Sequence, residues 1–433
     1  LITLYYQTDI RIPNSIPYHL RSTEEYNFKS VKPTFISEYS SYLKIPIRKV
    51  TKETYKGEKA FYHIEIDWID QATIWQNVFT WIDNDVLQLL QNTSSKLNLL
   101  LWFPNEGFPL SFPRFIDIID YCLKELKIPD KKVFFVFGDL NIQENYGKYI
   151  KNGLNKINVY GLNSFEATYH NECRLLEKDG HGAIFVNNEH RRKNLHQTKN
   201  KRFIFKNANP RDHRIYFAAE LKRRGLLELS YYSWLNRYNN PNKDSCKDII
   251  RKYSYNNKFN NKIIRHAEEF LANAPYILDY DKDSIGEGLN QRMLISKHFT
   301  DSYFSFVTET TYDNTEQNVL FVTEKIYQPM VQYHPFIVAA CPGFLRYLRS
   351  CGYETFPELF DESYDKEQNL KLRTKLIIDN IQNVVNMPEK KLHDIYYSDY
   401  FQDKLIHNRN LFFSLNGKKQ WLETFAWLDR NAR

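Results

Sequence analysis

Apolar and polar positions divide the chain into two stretches in which strand-like and helix-like patterns alternate. Leu97 to Phe103 (LNLLLWF) and Val133 to Phe137 (VFFVF) are short apolar runs, stopped by Pro104-Asn105-Glu106-Gly107 and by Gly138-Asp139. Runs of this length and kind predict strands buried on both faces. Leu1 to Tyr6 and Ile157 to Tyr160 read as further strands, and Phe61 to Trp68 alternates as FYHIEIDW. Trp75 to Leu90 and Phe115 to Leu126 carry helical periodicity. Strand and helix in turn predict an α/β domain over residues 1–195.

The run Asn187 to Arg202 (NNEHRRKNLHQTKNKR) is polar, basic and without apolar periodicity, and reads as a linker. Phe203 to Phe205 then opens a second strand-turn-helix. Pro210 suits the first turn of a helix reaching Gly225, with Ile215, Ala218, Ala219 and Leu221 or Leu226 to pack. An Asn-rich section near Tyr238 to Lys262 follows. Tyr303 to Val307 is an aromatic and β-branched strand, ended by the polar Thr308 to Asn318. Thr323 is placed as an N-cap and Glu324 in the first turn of a helix that turns Ile326, Met330 and Val331 to one side. Pro335 to Ala340 is another strand, and Pro342 and Gly352 bracket a helix, FLRYLRSC. These elements predict a second α/β domain over 203–370. Two helical patterns run from there to the end, the first with Ile377, Ile381, Val384 and Val385 on one face.

Composition changes this picture little. The chain has 433 residues, enough for two or three domains. Its 42% hydrophobic and 26% charged residues are those of a globular protein. The 31 Tyr would suit stacking on sugar faces, and equally an AT-rich coding sequence. A net charge of +7 suits anionic nucleotide ligands or a membrane-surface acceptor. The single basic run reads as a solvated face, so no nucleic-acid partner is expected. No apolar run approaches the roughly 18 residues of a membrane span. Five scattered Cys (Cys122, Cys173, Cys246, Cys341, Cys351) have no metal spacing and favour a reducing compartment, hence a cytoplasmic location, free or at the membrane surface. No glycine-rich phosphate loop, GxGxxG or nucleophile elbow is present, which argues against a kinase, a nicotinamide enzyme or an α/β-hydrolase.

In parallel α/β units ligands bind beyond the carboxyl ends of the strands, where helix N-termini offer N–H groups to phosphate. Thr323-Glu324-Lys325 stands at such an end. Phe304, Glu309 and Val322-Thr323-Glu324-Lys325, followed by the Pro-Phe-Ile-Val strand, resemble the donor-binding signature of α1,3-fucosyltransferases over about thirty residues. From Phe203 to Asp365, including TEK, HPF and Asp361-Glu362-Ser363-Tyr364-Asp365, the chain resembles a group of phage, giant-virus and bacterial proteins usually described as glycosyltransferases. The resemblance implies two Rossmann-like domains facing a cleft (GT-B type), with C-terminal helices, 371–433, packing back on the first domain. It implies transfer of a sugar from a nucleotide-sugar co-substrate to a glycan or glycolipid acceptor, with no further cofactor. The second domain would hold the donor and the first the acceptor.

On that reading Lys325 and Arg211 or Arg214 meet the leaving phosphate, with His213 and His334 as further donors to it. Glu309 and Glu324, with Thr323 beside them, meet ribose or sugar hydroxyls. Each has a plainer alternative. Arg214 could pair with Glu324 or Asp212, His213 and His334 could be satisfied structural histidines, and Glu324 could serve the helix start alone. In the first domain Glu106 and Asp139 each follow a buried strand, which makes them candidates for base or nucleophile, Glu106 foremost and with a turn role as its alternative. Glu65 and Asp67 stand in reserve. Asp279-Tyr280-Asp281 and Asp83-Asn84-Asp85 have the Asp-x-Asp form of metal-dependent transferases, but such triplets arise readily by chance and no metal is expected. His334-Pro335 also resembles the His-Pro pair of sialyl- and octulosonate transferases, so a cytidine-monophosphate-linked donor is the alternative within the class. A non-catalytic glycan-binding protein on a transferase scaffold is the alternative outside it.

Overall fold

The computed structural model describes residues 2–5, 35–65, 79, 82–105, 107–108, 110, 119–120, 123–150, 156–178, 197–208, 210–234, 261–278, 296–313 and 318–432. The chain is mixed α/β with two sheets of parallel strands, one of six and one of four. Its contacts fall into two units. Unit 1 comprises Leu1–Asn171, Glu316–Phe321 and Leu415–Arg433; unit 2 comprises Glu172–Thr315 and Val322–Ser414.

Unit 1 contains β1 (Ile2–Tyr5), α1 (Phe35–Tyr42), β2 (Ile47–Val50), β3 (Ala60–Glu65), α2 (Asn84–Gln91), β4 (Leu97–Phe103), β5 (Val133–Phe137), α3 (Ile142–Tyr149), β6 (Asn158–Gly161) and the start of α4 (Phe165–Lys178). The strand order is β2-β1-β3-β4-β5-β6, every pair parallel. Strands β4 and β5 match the expected runs to the residue, because a strand covered on both faces is apolar at nearly every position; the exception, buried Asn98, donates to the carbonyl of Lys96 at 3.0 Å. Alternation then sorts their side chains into two cores. Leu99, Leu101, Phe103, Phe135 and Phe137 face one side with Val86 and Leu90 of α2. Leu100, Trp102, Phe134 and Val136 face the other, with Ile36 and Tyr39 of α1. The linker expected up to Arg202 ends earlier: Lys201 and Arg202 already belong to a strand of unit 2.

Unit 2 contains β7 (Lys201–Asn207), α5 (Asp212–Arg223), β8 (Ser230–Trp234), α6 (Asn261–Ala272), α7 (Ser296–Thr300), β9 (Ser302–Thr308), α8 (Glu324–Val331), β10 (Phe336–Ala339), α9 (Phe344–Ser350), α10 (Leu370–Val385), α11 (Glu389–Tyr396) and α12 (Asp399–Phe413). Its parallel order is β10-β9-β7-β8. On one face Phe203 stacks on Phe304 at 5.3 Å and Phe205 on Phe306 at 5.2 Å. Phe217 of α5 meets Phe306 edge-on at 5.0 Å. The expected packing residues of α5, α8 and α10 are all buried.

Two expectations need correction. Pro342 does not open α9; Gly343 is its N-cap, and Gly352, at φ 91°, ends it as expected. The C-terminal segment holds four helices rather than two, and they divide between the units. Only the last, α13 (Gly417–Asn431), joins unit 1, where Trp421, Phe425 and Leu428 pack on Trp102 and its neighbours. The other three belong to unit 2, so the block 371–433 is not one structural piece. Among the described residues no helix is long and apolar enough to cross a membrane.

Candidate functional site

In unit 2 the chain passes from β7 to β8 on one side and returns to β9 on the other. The carboxyl ends of β7 and β9 therefore flank the point where connections diverge, the usual position of a ligand crevice in an open parallel sheet. The aromatic ladder between these strands ends there in a polar rung, Thr308 Oγ1 donating to Asn207 Oδ1 at 2.6 Å.

Most of the expected donor-site residues gather around this rung. Arg214 of α5 is buried, and its Nη2 donates to the carbonyls of Thr308 and Glu309 at 3.2 and 3.3 Å. Its guanidinium thus holds the end of β9, a role none of the expectations assigned to it. His213 Nε2 lies 2.9 Å from the same Glu309 carbonyl, and its ring lies 5.3 Å from that of Tyr312. Burial, and the charge of Arg214 beside it, hold His213 well below its ordinary pKa. A neutral imidazole is a poor phosphate anchor, so the cationic role expected of His213 is not supported. Arg211, the N-cap of α5, is exposed and makes no hydrogen bond or ion pair with a described residue.

Glu309 is fully buried. It accepts from Thr323 Oγ1 at 2.6 Å, and from the backbone N–H groups of Thr323 and Thr310 at 3.3 Å. Burial pushes its carboxyl above the ordinary range, opposed by the Lys325 charge and the Thr323 hydroxyl. With no exposed surface, Glu309 ties β9 to α8 rather than presenting a carboxylate to a ligand. Thr323 is the expected N-cap of α8. Lys325 Nζ donates to Thr323 Oγ1 at 3.1 Å and to Glu324 Oε1 at 2.9 Å, and both charged side chains keep 29% and 21% of their surface. The reachable groups at this edge are therefore Arg211, His213, Glu324 and Lys325. Asp365 shows what becomes of another helix start here: its carboxylate accepts from the N–H groups of Leu345 and Arg346, at 2.8 and 3.1 Å, and fills the N-terminus of α9.

His334 does not belong to this group. Its Nδ1 meets Ser305 Oγ at 2.8 Å and its Nε2 the carbonyl of Ser302, the first residue of β9, at 2.9 Å. Ser302 lies six residues from Thr308 along a strand, on the order of 20 Å away. Burial holds His334 neutral, with a pKa of about 3. It is a satisfied structural histidine at the amino-terminal part of the sheet.

In unit 1, Glu106 and Asp67 lie outside the described residues, as do Asp279 and Asp281 of unit 2. Asp139 is fully buried and accepts from Asn141 N (2.9 Å), Asn145 Nδ2 (2.7 Å) and Leu320 N (2.9 Å). It fastens the start of α3 and the segment around Leu320 and presents nothing to solvent, which removes it as a candidate base. Asp85 is ion-paired with Lys52.

Sequence reasoning missed Asn207, Thr308, Tyr312 and Arg373. Arg373 of α10 is buried, stacks 4.8 Å over Tyr312 and donates to the carbonyl of Glu367, so the ring beneath His213 is clamped. The signal for the polar rung was present: FIFKN and FSFVT carry the same alternation and both end in a short polar side chain. Cavity size does not point to this site. A cavity of about 50 Å³ lies against Lys206, Thr308, Lys325 and Gln328. A groove of about 580 Å³ lies among Glu358, Lys390, Lys391, Asp394 and Phe401, away from the strand ends. No family model matches the chain, and no curated protein or solved structure matches it either.

Proposed function

We propose that the chain is a nucleotide-sugar-dependent glycosyltransferase of the GT-B type, with the donor bound by unit 2 and the acceptor, a glycan or glycolipid, by unit 1. The supporting observation is that Arg211, at the helix start that follows β7, and the Glu324–Lys325 pair, at the start of α8, both stand at helix starts of a parallel sheet near its switch point. The resemblance of Phe304, Glu309 and Val322-Thr323-Glu324-Lys325, with the strand that follows, to a donor-binding signature points the same way. In this reading Arg211 and Lys325 neutralise the diphosphate, and Glu324 accepts hydrogen bonds from ribose or sugar hydroxyls. The acceptor oxygen bonds to the anomeric carbon and the carbon–phosphate-oxygen bond breaks. The nucleotide leaves with the electron pair, and the acceptor proton passes to a carboxylate of unit 1. Glu106 remains the residue proposed for that step. The cytidine-linked alternative drew on the His334-Pro335 pair, and the hydrogen bonds of His334 to Ser305 and Ser302 weaken that argument.

Lys325→Ala is expected to weaken nucleotide binding by about 1.5–3 kcal/mol, roughly 10- to 150-fold, the range for a hydrogen bond to a charged group. Calorimetry against uridine, guanosine and cytidine nucleotides measures this. Absence of binding by the wild type, or unchanged affinity in the folded variant, overturns the reading.

A further inference from the structure

His213 uses one ring nitrogen inside the protein, and the other has no hydrogen-bond partner among the described residues. Nε2 lies 2.9 Å from the carbonyl oxygen of Glu309, which can only accept, so Nε2 carries the proton. Arg214 Nη2 approaches the same oxygen at 3.3 Å. The imidazole lies against Tyr312, with centroids 5.3 Å apart and planes at 30°, and Tyr312 is held by Arg373 and by the Thr374 hydroxyl at 2.7 Å. The ring is therefore fixed in orientation as well as in tautomer. Nδ1 is left with a lone pair, has no partner among the described residues, and belongs to a half-buried side chain at the switch point.

A phosphate group of a nucleotide sugar has acceptors only, so it cannot bond to a lone pair. A nucleotide sugar does carry hydroxyl donors on both sides of its diphosphate. We propose that His213 Nδ1 accepts a hydrogen bond from a hydroxyl of the bound nucleotide sugar, and so selects the ligand by a hydroxyl rather than by charge. The proposal rests on the functional reading above. The groups around the ring agree with a neutral imidazole: Arg211 and Arg214 on its own helix, Arg373 behind Tyr312, and, from β9 and α8, the buried Glu309 carboxyl with Glu324 and Lys325 beyond it. Two guanidinium groups and burial oppose a second proton more than the one carbonyl favours it.

Two substitutions separate the ring nitrogens. In His213→Gln the amide N–H reaches the Glu309 carbonyl and no acceptor stands where Nδ1 was. In His213→Asn the amide oxygen stands near the Nδ1 position. Calorimetry with nucleotide sugars and the corresponding free nucleotides is expected to show affinity lowered about 3- to 10-fold in H213Q, the worth of a neutral hydrogen bond, and largely kept in H213N. Loss for the nucleotide sugar alone assigns the hydroxyl to the sugar; equal loss for the free nucleotide assigns it to the ribose. Wild-type affinity for the nucleotide sugar, whose phosphates do not titrate there, is expected to be flat from pH 6 to 8. Nitrogen-15 spectra of His213 should show an unprotonated Nδ1 over that range. If nucleotides bind but H213Q binds as the wild type does, or affinity falls with rising pH in the wild type only, or Nδ1 is protonated, this proposal fails and the functional reading stands. If no nucleotide binds the wild type, the functional reading fails and takes the proposal with it.

Discussion

Asp139 shows how little the identity and placement of a carboxylate settle about its work. It follows a buried strand, where a catalytic group would be expected, yet its oxygens hold three donors of its own unit and see no solvent. Burial outweighs those donors and raises its pKa from 3.8 to about 6. The folded state therefore prefers the protonated form. The resulting stability is present in full below the unfolded value near 3.8 and is lost as pH rises through 6. A rise of that size is worth about 3 kcal/mol. Asp139→Asn does not titrate, so the stability of the wild type relative to this variant should fall by about that amount between roughly pH 4 and pH 7. Urea unfolding across that range measures it, and parallel profiles would contradict it. The same limit applies to Glu309, Arg214 and His334. Their types and neighbours were legible in the sequence. Whether their partners are ligand or protein was not, because the main partners lie 14 to 95 residues away in the chain.

Elements were legible where burial dictates composition. LNLLLWF and VFFVF could be assigned to the residue because both faces of a central parallel strand are covered. The C-terminal helices were harder, since an amphipathic period continues across a break unless the caps are noticed. Asn369 and Ser398 cap α10 and α12 through the N–H groups of Leu372 and Phe401, and Pro388 opens α11. These cap residues are in the sequence, but the side on which each helix packs is not. Helix α13 is fastened to unit 1 by Trp421, which is fully buried 5.3 Å from Trp102 and stacked 6.0 Å from Tyr39. Trp421→Ala should cost about 3–5 kcal/mol, the range for removing a large aromatic from a packed core. Denaturant unfolding followed by circular dichroism and by total tryptophan fluorescence would test this, and a loss under about 1 kcal/mol would show that α13 is not held there.

At the scale of the whole molecule, the units are interleaved in sequence. Residues 316–321 belong to unit 1, although Glu309 and Thr323 of unit 2 stand on either side of them. Val319, Leu320, Phe321 and Val322 are all buried, and an apolar tetrapeptide does not reveal which core it serves. Phe321 packs on Phe165 at 5.6 Å, and its ring would lie 2.5 Å from a Cβ placed on Gly107. Gly107 is thus required by a close approach within unit 1, whereas the sequence suggested only a turn. Asn105, on the other side of Glu106, accepts from Ser164 Oγ at 2.9 Å. The flanks of Glu106 are therefore fixed parts of unit 1, whereas the proposed donor site lies in unit 2. That division of labour predicts different outcomes for the two units. Glu106→Gln keeps the size of the side chain and removes its charge. Turnover should fall by about 10²–10⁴ if Glu106 is the general base, and further if it is the nucleophile. Nucleotide affinity should be unchanged, the reverse of the Lys325→Ala pattern. Steady-state kinetics paired with calorimetry on both variants separates the cases. Wild-type turnover in E106Q would remove Glu106 from the chemistry. A parallel loss of nucleotide affinity would show that binding and chemistry are not divided between the units.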